Sequence, residues 1–336
     1  MSKNKMNQVG IDVSAETLVV ELRLGSTGDY KQGEFDNTPE GHRKLEKWIT
    51  KDGAKAKVCM EATGVYHLKL AMLFSQSKKI ELMVVNPKAM KNFSTALLKR
   101  AKTDKVDAYV ILEYVIRMDF VEWVKPSEKV QELQALVHRV NNLVNERARE
   151  KTRLKTNAFR GKGWKLIEKD INGHIVQLTK RIKALEAKIV ELISKDQQYQ
   201  EKQDILKSIK GIGDTSSVQI LAQLLLMPVE LTPAQMVAYA GLDPKPIESG
   251  KSVSKLRKIS KAGNKYLRAS LFMPAMSAIQ HQDNIKAYYE MLLAKGKQKL
   301  QAIIAVMRKL LQCICGMLKN KTQWDGNKFY KIQYIA

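Results

Sequence analysis

Val9-Gly-Ile-Asp-Val-Ser14 followed by Thr17-Leu-Val-Val-Glu-Leu-Arg-Leu24 is the stretch on which the fold turns. Both segments favour strands, and the short polar turn between them predicts an antiparallel pair. Gln32-Gly-Glu-Phe-Asp-Asn-Thr38 reads as a third strand, so the chain opens as a meander. Thr38-Pro-Glu40 then starts a helix running to Trp48. Ala56 to Thr63 reads as a buried strand, His67 to Phe74 as a helix, and Glu81 to Pro87 as another strand. Val58-Cys-Met60 and Leu82-Met-Val-Val85 do not alternate in polarity, which suits strands covered on both faces. The expected fold over residues 6–124 is therefore α/β, a mixed sheet flanked by helices.

Beyond Trp123 the strand signal fades into long polar helices. Ile171, Ile175, Leu178, Ile182, Leu185, Ile189 and Leu192 repeat at spacings of four and three, a short coiled-coil seam for self-association or an antiparallel arm. Arg139 to Lys169 holds ten Lys/Arg against three Glu, the pattern of a solvated helix face or of an arm that grips nucleic acid. Residues 125–202 read as a helical coiled-coil connector, and 203–336 as a mainly helical C-terminal domain. Near the start of that domain a pair of helical patterns hinges at Gly211-Ile-Gly213. Such a glycine turn is either a helix-hairpin-helix unit, whose backbone N–H groups bind a DNA phosphate, or an ordinary helix–helix turn. A basic loop region follows, with eight bases against one acid between Lys245 and Arg268. From Leu271 the chain is helical and Met-rich, the methionines reading as core filler rather than a ligand set.

Composition narrows the partner. Lys and Arg number 58 against 34 Asp and Glu in 336 residues, a formal charge of +24 that fits nucleic acid. No apolar run approaches the roughly 20 residues that span a bilayer, and the first residues lack a signal-peptide core, so a cytoplasmic protein is expected. Cys59, Cys313 and Cys315 form neither a CxxC pair nor a zinc spacing, leaving oxygen as the donor for any metal.

Four carboxylates stand out in this basic chain. Asp12 sits in the first strand, Glu61 ends the apolar strand Val58-Cys-Met60, and Lys102-Thr-Asp-Lys-Val-Asp-Ala108 sets Asp104 and Asp107 on one face of a helix. Singly they read as a turn residue, a rim charge and a helix-start preference. Converging on one sheet edge, they repel unless cations sit among them, and hard oxygen donors suit Mg²⁺ or Mn²⁺, which stabilise the attacking and leaving oxygens of a phosphodiester.

The order strand–Asp12, strand–Glu61-Ala-Thr-Gly64, then Lys102 to Ala108, resembles the DEDD transposases of bridge-RNA-encoding insertion sequences, the IS-one-ten group, related to Piv-like DNA invertases. The resemblance continues through the glycine turn, Ala240-Gly-Leu-Asp-Pro-Lys-Pro-Ile-Glu-Ser-Gly-Lys-Ser252 and Ile259-Ser-Lys-Ala-Gly-Asn-Lys-Tyr-Leu-Arg268. It implies an RNase H-like N-terminal fold similar to the RuvC resolvase, with Asp12, Glu61, Asp104 and Asp107 as the metal-binding tetrad, and a C-terminal transposase domain. It also implies that Ser249 is a nucleophile forming a covalent link to DNA. A free serine hydroxyl needs a base or metal to act, and no histidine lies near it in sequence. Ser252, Ser254 and Ser260 are the alternatives, Ser260 looking more like a helix cap, while Gly250 permits a sharp turn beside Ser249. Further implications are donor and target DNA and a bridge RNA pairing with both; the seam and the composition add the expectation of a homo-oligomer (dimer or tetramer) with no membrane partner, acting in the bacterial cytoplasm at the nucleoid.

Rival readings make different demands. An actin-like sugar kinase or ATPase needs a Gly after its strand Asp, where this chain has Val13, and a second nucleotide motif. A plain Holliday-junction resolvase needs the tetrad but not Ser249. A non-enzymatic scaffold needs neither, and would bind nucleic acid with all four acids changed.

Overall fold

A computed structural model describes residues 6–97, 103–157, 162–228, 231–245, 248–249, 253–254 and 258–332. The chain divides into two units, Met1–Lys125 and Pro126–Ala336.

In the first unit the expected strands form one five-stranded sheet. Its members are β1 (Asn7–Val13), β2 (Thr17–Arg23), β3 (Tyr30–Asp36), β4 (Ala56–Glu61) and β5 (Ile80–Val85), ordered β3-β2-β1-β4-β5. The meander β1–β2–β3 is antiparallel, whereas β4 runs parallel to both β1 and β5. This is the mixed, RNase H-like sheet anticipated above. Helix α1 (Pro39–Ile49) begins where Thr38 caps it, the hydroxyl accepting from Gly41 N–H at 3.2 Å with Pro39 in the first turn.

Period-two alternation divides the strands between two faces. Val9, Ile11, Val58, Met60 and Leu82 join Leu45 and Ile49 of α1 and Leu70 and Phe74 of α2 (Leu68–Phe74) in one core. Cys59, Met83 and Val85 join Met90 of α3 (Pro87–Ala96) and Val110, Ile111 and Leu112 of α4 (Asp104–Arg117) in the other.

Gly10 decides how closely α4 can lie on β1. A Cβ at this position would overlap Ala108 O and Leu112 N, and would stand 2.8 Å from Leu112 Cα. Only a residue without a side chain admits the helix backbone there. Replacing Gly10 with Ala should therefore push α4 outward and lower stability by about 1–3 kcal/mol. Denaturant unfolding measures that loss; an unchanged midpoint would mean the helix can shift freely.

The second unit is helical around one core. Helices α5 (Glu128–Asn157) and α6 (Lys165–Ser194) pack side by side. Ile171, Leu178, Ile182 and Ile189 of the α6 seam are buried, as are Val130, Leu133, Val137, Val140 and Leu143 of α5. The seam is thus filled from within the chain, the antiparallel-arm alternative. The remaining helices are α7 (Gln197–Lys207), α8 (Asp214–Leu224), α9 (Pro233–Tyr239), α10 (Lys265–His281), α11 (Asp283–Ala294), α12 (Lys299–Asn320) and α13 (Gly326–Phe329). Gly211, at φ +113°, sits where a Cβ would come within 2.6 Å of Ala278 N of α10, so the turn between α7 and α8 is shaped by packing.

One expectation needs correction. α12 is, among the described residues, long and apolar enough by composition to cross a bilayer. Its Ala302, Val306, Leu310, Leu311 and Ile314 are fully buried in the unit's core, and Arg308 and Lys309 interrupt its middle. It is read as a core helix whose apolar faces were scattered by those charges in the linear sequence.

Candidate active site

Asp12 lies one residue beyond Ile11, and Glu61 one beyond Met60, in the parallel pair β1–β4 where Ile11 stands opposite Met60. Both carboxylates therefore sit at the carboxyl ends of adjacent parallel strands, the edge where open α/β sheets bind ligands. Asp12 shares a sheet face with Gly10, and Glu61 with Cys59, which places both on the α4 side. The contact at Gly10 then brings the first turn of α4 toward that edge, with Asp104 and Asp107 on it. Thr103 fixes this turn as N-cap, accepting from Val106 N–H at 3.3 Å.

Electrostatics shows the convergence. Burial pushes the Asp12 carboxyl up to about 6, reinforced in order by the charges of Asp107, Asp104 and Glu61; a hydrogen bond at the Val13 backbone opposes this. Asp12, Glu61 and Asp107 are half-buried and Asp104 is exposed. Coulombic reach exceeds a metal–oxygen bond of about 2 Å, and among the described residues no three acidic, His or Cys side chains stand close enough to share one ion. The four surround the strand end without closing into a coordination shell. Their all-oxygen chemistry and mutual repulsion nonetheless fit a hard divalent cation, once side chains turn inward.

Asn37, which the sequence showed only as part of a strand end before a helix cap, braces the loops beside this edge. Its Nδ2 donates to Ser14 O at 2.7 Å and Tyr66 O at 3.3 Å, and its Oδ1 meets His42 Nε2 at 2.7 Å. One side chain thereby links the turn after Asp12 with the loop after Glu61. The lone Gly10 within a strand was the other missed signal, since such a glycine often marks close backbone approach.

In the second unit, Ser249 belongs to β7 (Glu248–Ser249), its backbone opposite Val253 of β8 (Val253–Ser254). Gly250 and Ser252 lie outside the described residues. Outside this hairpin β6 (Pro244–Lys245) pairs with β9 (Lys258–Ile259), closing the neck of the loop. Lys261 N–H donates to Gly241 O at 3.1 Å, Ser260 N–H to Asp243 O at 2.9 Å, and Asn264 N–H to Tyr239 O at 2.6 Å. Gly263 is pressed against Tyr239 O and Ala238 O, where any Cβ would collide. Ser260 is not a helix cap: its Oγ donates to Asp243 Oδ1 at 2.5 Å and accepts from Ala262 N–H. Asn264 caps α10 instead, accepting from Tyr266 and Leu267 N–H. Asparagine presents its carbonyl oxygen to that first turn, a role serine fills only from the N-cap position itself.

Residues 9–157 match a DEDD-type transposase family, and residues 203–290 match the Transposase IS116/IS110/IS902 family. The chain is 27% identical over 321 residues to the pilin gene-inverting protein of Moraxella bovis, covering 94% of this chain and 97% of that protein. The corresponding protein of Moraxella lacunata is equally similar, 27% over 321 residues with the same coverage. An uncharacterized 43.6 kDa protein of insertion element IS110 from Streptomyces coelicolor is 26% identical over 144 residues, 43% of this chain and 34% of that protein. With both matches in chain order and together spanning well over half of its length, the chain belongs to the IS110-type family of transposases and related DNA invertases.

Proposed function

We propose that this protein is the DNA recombinase of a mobile element, cutting and exchanging strands with a divalent metal, a nucleophilic serine and an RNA guide. The observation that carries the reading is the gathering of Asp107, Asp104 and Glu61 around a half-buried Asp12 whose carboxyl is pushed to about 6. Nothing structural is gained from that repulsion, whereas a bound cation converts it into affinity. Asp12, Glu61, Asp104 and Asp107 would hold Mg²⁺ or Mn²⁺, which supplies a Lewis acid for a phosphodiester oxygen. Asp12 and Glu61 would hold it from the strand ends, and Asp104 and Asp107 from the first turn of α4. Ser249 attacks phosphorus through Oγ, its proton leaves to base or solvent, and the departing sugar oxygen takes a proton. Carboxylates and serine belong to different units of the chain, and the partners in this reading are donor and target DNA, a bridge RNA and further copies of the chain. The place of action is the bacterial cytoplasm, at the nucleoid. A strand-cleavage assay with Mg²⁺, chelator and the assembled nucleic acids tests the reading; cleavage undiminished by chelator would overturn the metal component of it.

The arm of α5 and α6 supplies the grip on nucleic acid in this reading. Arg139, Arg149, Lys151, Lys155, Lys165 and Lys169 are exposed and hold no ion pair among the described residues. Changing Arg149, Lys151, Lys155, Lys165 and Lys169 to Gln should weaken binding to DNA and RNA alike. The log–log salt slope should fall by about one per lost phosphate contact, with sequence preference little altered. Binding isotherms over a salt series check this, and an unchanged slope would leave the face merely solvated.

A further inference from the structure

The face of the sheet that carries the carboxylates at one end carries cations at the other. Gln8 of β1 stands opposite Arg23 of β2 and opposite Lys57 of β4, so the three side chains form a row across adjacent strands. Gln8 is four residues from Asp12, about 13 Å along the strand. A cavity of about 810 Å³ opens over this row, bounded by Ile116 near the end of α4 and by the turn Gly25–Gly28. Among the described residues no acidic side chain lines it.

Its walls are built for an anion. Arg23 Nη1 donates to Gln8 Oε1 at 3.0 Å, which aims the guanidinium. Arg23 Nε is buried with no hydrogen-bond partner, and the residue makes no ion pair among the described residues. A buried donor left unanswered costs about 1–3 kcal/mol. Lys57 adds a second cation, its ammonium only loosely paired with Glu81 at 3.7 Å and resting 5.0 Å from the Phe120 ring centre. The turn is held in place from beneath: the buried Asn7 accepts from Gly25 N–H at 2.8 Å and donates to Ile49 O at 2.9 Å. Gly28 N–H returns to Leu24 O at 2.8 Å and Leu24 N–H meets Asp29 O at 2.9 Å. Ser26 and Thr27 are exposed at its tip, offering hydroxyls and backbone N–H groups in the manner of a phosphate-cradling nest.

We propose that this cavity binds a phosphate group, and that the ligand is the sugar–phosphate backbone of a nucleic-acid strand passing the end of the sheet opposite the carboxylates. Arg23 provides the guanidinium charge, Lys57 the second charge, and the Ser26–Thr27 tip the neutral donors. The proposal rests on the reading of the chain as acting on nucleic acid, but not on the metal or the serine. A free phosphate compound offers the same chemistry and is separated by experiment.

The test uses the full chain, a short labelled single-stranded DNA and RNA, and inorganic pyrophosphate. Arg23→Gln and Ser26→Glu should each weaken oligonucleotide binding about five- to tenfold near 0.1 M salt and lower the salt slope by about one. Ser26→Glu alters an exposed turn residue, so its effect stands even where Arg23→Gln unfolds. Pyrophosphate stabilising the wild type but not Ser26→Glu, with oligonucleotide binding untouched, would support the phosphate site and assign it to a free compound. Wild-type affinity in both variants for both probes overturns the proposal. Failure of the wild type to bind any oligonucleotide overturns the nucleic-acid reading, while the pyrophosphate measurement still decides the site.

Discussion

Replacing Asp12 with Asn is expected to stop strand cleavage, by about a thousandfold or more, while making the metal-free protein more stable. The loss follows from removing a central ligand of the proposed metal site: stabilisation of transition-state charge worth several kcal/mol corresponds to at least that factor. The gain in stability follows from the same geometry. The Asp12 carboxyl titrates near 6 instead of 3.8 because burial and three neighbouring carboxylates disfavour its charge. Between about pH 4 and 6 the native state therefore binds more protons than the unfolded chain, and Asp12's contribution to stability falls as pH rises through that window. The effect is greatest below the unfolded value and is lost above the folded one. Asp12→Asn should abolish this component and raise the thermal midpoint at pH 7. Added Mg²⁺ should raise the wild-type midpoint at pH 7, do less at pH 5, where Asp12 is protonated, and leave Asp12→Asn nearly unmoved. A variant that lost cleavage but gained no stability would show that Asp12 is compensated by contacts of its own. Retained cleavage in Asp12→Asn would remove the residue from the chemistry altogether.

The second large effect belongs to Ser249. Ser249→Ala should eliminate both cleavage and any covalent protein–DNA species, with an unchanged unfolding midpoint, since among the described residues its two-residue strand pairs with β8 of the same loop. Trapping the reaction on nicked DNA, denaturing, and reading the modified peptide by mass spectrometry locates the bond. An adduct on Ser252 or Ser254 would move the nucleophile within the same loop. Ser260 is distinguished by its bonding: its hydroxyl is engaged by Asp243 and by Ala262 N–H at the neck. Ser260→Ala should therefore slow the reaction by loosening the loop while the adduct remains on Ser249. Efficient cleavage with no adduct at any serine would favour water as the nucleophile, as in a resolvase.

Much of the first unit was legible because its signals are local. Strand-forming runs such as Thr17 to Arg23, a Thr-Pro helix start at Thr38, and the i, i+3 carboxylates of α4 each depend on a few neighbouring residues. Their convergence was expected on chemical grounds, but the agent that brings it about, Gly10 beneath Ala108 and Leu112, joins residues about a hundred positions apart. No local pattern announces such a contact. The seam of α6 was visible as a repeat, yet a repeat does not say whether its partner lies in the same chain; α5 carries its own buried set at less regular spacing. Ser260 and Asn264 are both good capping residues, and only the clasp at Asp243 decides between them. Arg23, Gln8 and Lys57 are equally silent in the sequence, since strand register alone aligns them.

The paired helices α5 and α6 each have 30 residues. At 1.5 Å per residue each extends about 45 Å, which matches roughly thirteen base-pair steps of a duplex at 3.4 Å. A rod of that length works as a gauge. In the proposed reading it reaches past one full helical repeat, so exposed bases along it would meet the same face of a duplex twice, and binding should depend on the phase of a bend or a loop in the nucleic acid. Substrates whose paired segment is shortened below one turn should lose the distal set of contacts together, as a step rather than a gradual decline.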